Sequence, residues 1–392
     1  MEAVRIHKPS GALSLRQWIA VLATVCTAFA SQMTMPLWIA ASIHRLGISD
    51  EIAGRVGAAE FTAVALMSLA VGMSLERANI RKMMALGMTV LIVGNLLSAA
   101  APGALLLALG RIACGLGKGM VVGVSFGLLA GTTNPTRSFA IINGGYACFA
   151  AGFYFCTPSV VAWGGSAGVF LMLAAAASAG ASLLVWYPRE RLQASQSAAL
   201  PLRAIPAFGW VAALMLTLLA VGHSAVWTFI ARLGEHHNLT HGQIGSTLSV
   251  AALLTVAGPA LASILDVRHG FAMPLTAGVF LKAAIAAGLT YTASASGYFV
   301  LTPTFLLLNL FIIPYVMGMM SLADPVGRLA GSASAAQQGG NAAGALLGGI
   351  LVTRVGYHGL ALLVAVLFAL VIVLVVAFSP AASRRARLAV YS

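Results

Sequence analysis

Residues 187–206 read Tyr-Pro-Arg-Glu-Arg-Leu-Gln-Ala-Ser-Gln-Ser-Ala-Ala-Leu-Pro-Leu-Arg-Ala-Ile-Pro, a polar interruption in a chain otherwise apolar almost from end to end. Before it, apolar runs between charges, glycines and prolines fall near residues 17–43, 52–75, 83–100, 103–130, 138–162 and 166–187. After it, they fall near residues 207–232, 242–265, 271–292, 298–322, 329–352 and 358–379. Each run is close to the roughly 20 residues that carry a helix across a bilayer. The interruption thus separates six predicted spans from six more. The expected fold is an all-α membrane protein of twelve transmembrane helices in two pseudo-symmetric six-helix bundles. Its parts would be an N-terminal bundle at 1–187, a cytoplasmic linker at 188–206 and a C-terminal bundle at 207–392.

Composition excludes the alternatives. Of 392 residues, 60% are hydrophobic and only 8% charged, and the mean hydropathy is +0.96. A soluble domain carries about a quarter of its residues as charges, so lipid must cover most of this surface. The net charge of +13 does not point to nucleic acid, because most of the basic residues flank apolar runs. If both ends share one side, that side collects Arg5, Lys8, Arg16, Arg77, Arg81, Lys82, Arg137, Arg189, Arg191, Arg203, Arg268, Arg328, Arg384, Arg385 and Arg387, or 15 of the 22 basic residues. The opposite loops hold Arg45, Arg55, Arg232 and Arg354. The positive-inside rule then puts both termini in the cytoplasm. The basic start, apolar run and Ala28-Phe29-Ala30 of the first span resemble a signal peptide. Cleavage there would put the basic ends on opposite sides, so the span is expected to stay. Preference for Arg over Lys and abundant Ala and Gly suggest a bacterial chain and an inner-membrane location. Cys26, Cys114, Cys148 and Cys156 lie inside apolar runs without metal-ligand spacing, so neither a disulfide framework nor a metal site is expected.

The halves repeat at a nearly constant offset. Glu76-Arg77 answers Asp266 and Arg268 at 190 residues, Asn134-Pro135 answers Asp324-Pro325 at 190, and Gly54 answers Gly245 at 191. Duplicated six-helix halves around a midplane site are an arrangement of secondary transporters.

Gly72-Met73-Ser74-Leu75-Glu76-Arg77-Ala78-Asn79-Ile80-Arg81-Lys82 resembles the G-x-x-x-D-R-x-G-R-K signature of the major facilitator superfamily. Glu76 stands where Asp is usual and Asn79 where Gly is usual, and the basic pair is displaced by one residue. Leu107 to Gly117, with Arg111 before Gly115 and Gly117, resembles the family's second signature, Cys114 replacing the usual Gln. With twelve spans, a central linker and the repeat, the resemblance covers essentially the whole chain. It implies a gating latch of Gly72, Glu76, Arg77, Arg81 and Lys82, with Asp266 and Arg268 as its weaker counterpart. The Gly-Pro and Gly-Gly motif common in the family's drug-proton antiporters is largely missing from span five, which offers Gly144-Gly145, Gly152 and Thr157-Pro158.

Polar groups in hydrocarbon are costly, so the few intramembrane ones mark candidate sites. Arg111 and Lys118 stand seven residues apart, on nearly one face and about 10 Å along the axis. They are expected to face a shared cavity, as the resemblance places Arg111 on a cavity-lining helix. Alternative roles are a structural Arg bonding helix carbonyls and a Lys118 that snorkels. Gln32 and His223 lie at equivalent depths 191 residues apart, and Trp227 shares the face of His223. The resemblance puts both helices on the cavity. Asn309, Gln337, Gln338 and Asn341 complete the substrate-binding candidates, each equally able to bridge helices. Glu60 is the acid well inside a span and the expected proton carrier, with an outer-gate hydrogen bond as its other role. His223 is the titratable alternative. Lys282, on the span that the resemblance makes peripheral, is expected to snorkel or to make a helix contact. Asp324 before Pro325 is expected to cap a helix. Gly123-Val124-Ser125-Phe126-Gly127 matches a nucleophile motif, but the strand-to-helix elbow that motif needs has no place inside a membrane helix.

The expectation is a secondary active transporter, not an enzyme, moving a small organic solute by alternating access with proton-coupled efflux. The alternative is proton-linked uptake of a small organic anion, favoured by Arg111 and Lys118. No P-loop sequence occurs and no cofactor is expected. The partners would be the substrate, protons and the lipid bilayer, the protein acting as a monomer.

Overall fold

Inside hydrocarbon a peptide group finds no water, so each apolar run must satisfy its own backbone as a helix. The computed structural model describes residues 13–74, 79–130, 132, 135–187, 205–265, 270–291, 294–324 and 328–390, and among them there is no strand. The helices are α1 (Leu15–Met33), α2 (Met35–Leu46), α3 (Asp50–Ser74), α4 (Ile80–Ala99), α5 (Ala104–Ala130), α6 (Pro135–Ser182), α7 (Ala207–His236), α8 (His241–Leu254), α9 (Ala257–Leu265), α10 (Ala272–Tyr291), α11 (Ala295–Ala323), α12 (Arg328–Val355) and α13 (His358–Val390).

Among the described residues, thirteen α-helices make twelve spans because of local breaks. Pro36 in the first turn of α2 has no N–H to continue the ladder, and α1 and α2 meet at a 48° bend as one broken span. α8 and α9 are one span interrupted at Thr255 and Val256. Conversely α6 holds two spans, divided where Gly165 adopts φ 57° and ψ −146°, a conformation open to glycine and closed to most other residues. α12 is the span that hydropathy alone would miss, because its middle carries Gln337, Gln338 and Asn341. The runs expected near 166–187 and 329–352 are both helical. Asp324 behaves as the sequence suggests: its Oδ2 accepts from the Leu329 N–H in the first turn of α12, at 3.0 Å.

α1 to α6 pack together as one bundle and α7 to α13 as another. The two bundles meet along α2 against α7, α3 against α12 and α6 against α8. Close approaches across this seam include Gly54 to Ala345 and Gly349, and Gly245 to Tyr154 and Pro158. These lie toward one end of the spans, opposite the side on which α1 begins and α13 ends. The halves are therefore closed at the far end and diverge toward the terminal side. Large apolar side chains such as Leu105, Trp163, Ile264 and Val366 are exposed on the outside, where lipid covers them.

Of the two roles expected for Lys282, the helix contact is the one found, to Asn309 of α11. The lysine does not snorkel: the side chain is fully buried within the second bundle.

Candidate functional site

Between the halves lies a cavity of about 950 Å³, lined from both bundles and reaching from Gln32 and Trp227 down to Ser68, Gly127 and Met317. Lys118 sits at its roof. The ammonium donates to Gln32 Oε1 and lies 4.9 Å from the Phe29 ring centre and 5.8 Å from that of Phe61. Across the roof, Gln338 Nε2 donates to Gln32 Oε1 (3.4 Å), and Asn341 Nδ2 donates to Gln338 Oε1 (2.8 Å). Trp227 Nε1 donates to the Gln32 carbonyl (3.3 Å). A chain of amides thus joins α1 to α7 and α12, so the roof belongs to both halves.

In the second bundle His223 is stacked against Trp227 and Phe305, ring centres 6.2 and 5.3 Å apart. Its Nδ1 is buried without a hydrogen-bond partner. Lys282 Nζ donates to Asn309 Oδ1 at 2.5 Å and lies over the rings of Phe305 and Phe368. Eight sequence candidates, Gln32, Lys118, His223, Trp227, Asn309, Gln337, Gln338 and Asn341, all line the cavity.

Arg111 does not, and the shared cavity expected for it and Lys118 is absent in this conformation. The shared face is real, but Arg111 lies two turns nearer the closed end, above the level where the cavity stops. Its guanidinium is spent there. Nε donates to Ser98 Oγ (3.0 Å), Nη1 to Ser31 Oγ (2.9 Å) and Glu60 Oε2 (3.5 Å), and Nη2 to Asn95 Oδ1 (2.7 Å) and Cys114 Sγ (2.8 Å). Ser31 in turn donates to Glu60 Oε1 at 2.6 Å. The rings of Phe170 and Trp38 cover the cation at 4.7 and 5.5 Å. Gly115 permits this convergence, since a Cβ there would strike the Glu60 carbonyl and hold α3 away from α5. Glu60 is therefore a buried carboxylate outside the cavity wall, coupled to it through Ser31, the residue before Gln32.

The latch candidates divide. Glu76, Arg77, Asp266 and Arg268 lie outside the described residues. Gly72 is in the last turns of α3. Arg81 Nε donates to the Leu184 carbonyl at 2.9 Å, and the Lys82 N–H is capped by Asn79 Oδ1 at 3.2 Å. Ser125, of the nucleophile-like motif, shares a 2.8 Å hydrogen bond with the Tyr187 hydroxyl inside the bundle.

A polar gate at the closed end was not anticipated. Arg232 at the end of α7 reaches Asp50 Oδ1 of α3 (3.4 Å) and Glu235 Oε2 (2.8 Å), and His44 of α2 meets Glu235 at 3.1 Å. Glu51 N–H donates to Thr353 Oγ1 across the same seam (3.0 Å). Its signal was the repeat itself, since His44 and Glu235 stand 191 residues apart, like Gln32 and His223. The aromatic lining was also missed, although Phe139, Tyr146 and Tyr154, at steps of seven and eight residues, trace one stripe of α6. Glu235→Gln should weaken the gate by roughly 1 kcal/mol, the upper range for partly exposed pairs. A cysteine at Val352, which lines the vestibule above the gate, should then be labelled up to about fivefold faster in a thiol-accessibility assay.

The Major Facilitator Superfamily model matches residues 20–338. Among solved structures, the fold is similar to the nucleoside transporter NupG, with TM-score 0.74, 12% identity and coverage of 93% of this chain and 97% of that one. It is similar also to a bacterial homologue of the human lysosomal transporter Spinster in an inward-facing, occupied conformation. There the TM-score is 0.72, the identity 13% and the coverage 95% of this chain and 96% of that one. Among curated proteins none matches the chain in sequence.

Proposed function

Because the chain belongs to the major facilitator superfamily, whose members are secondary transporters working by alternating access, we propose that it carries a small organic anion, coupled to protons and in the direction of export. One observation supports the anion: the polar groups on the cavity wall are Lys118, His223, amides and hydroxyls, and no Asp or Glu lines it among the described residues. A lone cation in an apolar wall is costly without a counter-charge, and an anionic solute supplies one. Export is supported by the membrane potential, since an anion leaving a negative interior runs downhill by about 2.3 kcal/mol per charge per 100 mV. With both termini cytoplasmic in the inner membrane, and the protein acting as a monomer, the open cavity would face the cytoplasm and load from it.

Glu60 is the proton carrier in this reading. Protonation would weaken its pairing with Arg111 and release Ser31, which is joined by the chain to Gln32 in the cavity roof. A second direction, proton-linked uptake of the same anion, is favoured by that carboxylate too, because a proton taken up with the anion cancels its charge.

The experiment is counterflow and pH-driven transport in proteoliposomes, with organic carboxylates compared with amines and neutral amides. Carboxylates should be moved in preference, and Glu60→Gln should keep exchange while losing accumulation driven by a pH gradient. Preferential movement of amines would remove the anion reading. A Glu60→Gln protein that still accumulates solute would move the proton elsewhere, with His223 on the cavity wall the alternative carrier.

A further inference from the structure

Lys282 is the large charged side chain that the transport cycle described above leaves unused. It is completely buried, and none of the ion pairs among the described residues includes it. Its neighbours are two phenyl faces and the single oxygen of Asn309. A cation held so deep without a carboxylate costs several kcal/mol. Packing alone would be served better by Met or Leu.

The chemistry of the amide supplies a purpose. Lysine has donors only, so Asn309 must turn its oxygen to the ammonium, and the two N–H donors are what remains for the other side. Asn309 lines the cavity, half-buried, whereas Lys282 stands behind it. The first bundle repeats the device. Gln32 Oε1 is occupied by Lys118 and by Gln338 Nε2, and Gln338 Oε1 by Asn341 Nδ2. One lysine in each half thus engages an amide oxygen, Asn309 Oδ1 in the second bundle and Gln32 Oε1 in the first, and what those two amides have left to offer is their N–H donors. Between these two donor sets stand Trp227 and the stacked ring of His223, with Phe29 and Tyr146 on the opposite wall.

We propose that Lys282 is a specificity-determining positioning residue, acting through Asn309 to present N–H donors to an aromatic carboxylate that the cavity holds between its two halves. This rests on the anion reading above and adds the aromatic body and the second-bundle determinant. Lys282 itself touches no solute. The aromatic body lies along the Trp227 side, its ring matched to faces that favour stacking, while the carboxylate collects charge-assisted hydrogen bonds that a neutral amide forms more weakly.

The test is a thermal-shift titration of the full-length protein in detergent with benzoate and phenylacetate, each against its own amide. The wild type should be stabilised by the acids at lower concentration than by the amides. In Lys282→Met, which keeps the side-chain length without the charge, Asn309 is free to turn. The acid preference should fall about tenfold, with the amides still bound and the unliganded midpoint not lowered. Asn309→Asp, which pairs with Lys282 and faces the lumen with oxygen, should lose the acids as well. A wild-type preference that survives in Lys282→Met overturns the role of Lys282 and leaves the anion reading standing. Equal loss of acid and amide binding in that variant makes the residue merely structural and also overturns the role. A wild type that shows no acid preference removes the anion reading, and this inference with it.

Discussion

Replacing Arg111 by Ala should cost the folded protein about 3–5 kcal/mol and abolish transport, because it strips the partner from a buried carboxylate. The guanidinium is held by side chains from α1, α3, α4 and α5 and covered by rings from α2 and α6, so every helix of the first bundle meets at this group. Removing it leaves Glu60 with Ser31 alone and leaves Asn95 and Ser98 without the donor they face. Lysine is no substitute, as one ammonium cannot reach four directions at once. Thermal denaturation in detergent checks the stability, with Glu60→Gln added as the second arm. The double variant removes the stranded charge and should recover part of the loss in midpoint, but no transport. If Arg111→Ala melted with the wild type and still transported, the cluster would be a bystander. If it were stable yet inactive, Arg111 would serve the cycle rather than the fold.

The twelve spans were legible because a hydrocarbon solvent turns apolar length directly into helix, and even the division at Gly165 was marked by the gap between the runs at 138–162 and 166–187. Depth and partnership were harder to read. A seven-residue step correctly put Arg111 and Lys118 on one face, but where the cavity ends between them depends on how α3, α4 and α5 pack, which periodicity does not encode. For Lys282 the resemblance left snorkelling and a helix contact open, and no spacing marks its partner, Asn309, 27 residues away on another helix. The gate pairs are more distant still, 182 residues from Asp50 to Arg232 and 191 from His44 to Glu235. The repeat offset could have shown the second pair, since equivalent positions face each other across the axis that relates the halves. Gln32, His223, Trp227 and Asn309 could be picked out for a simpler reason: polar and amphipathic groups deep in an apolar helix have few places to go but the lumen.

Gly54→Val should trap the transporter open on the side opposite the termini. A Cβ at Gly54 would lie 2.5 Å from the Ala345 carbonyl oxygen and 3.0 Å from Gly349 Cα, and one at Gly349 would meet the Asp50 carbonyl at 2.7 Å. These neighbours are backbone, so they cannot step aside as a side-chain tip can. α3 and α12 must move apart, and with them the halves. The clash exists only where that seam is shut, so it raises the closed state and spares the state in which the seam is parted. Overpacking of about 1–3 kcal/mol would shift the two populations about 5- to 150-fold, more than loss of the ionic gate. A cysteine at Val352 should then label rapidly from that side, and net transport should stop because the cycle can no longer close. Gly54→Ala is the informative control. Alanine favours a helix over glycine by roughly 1 kcal/mol, so a variant in α3 that impairs closure cannot do so by weakening the helix. Unchanged labelling and transport in both variants would mean that the seam tolerates a wider spacing, and closure would then rest on Arg232, Asp50 and Glu235 instead.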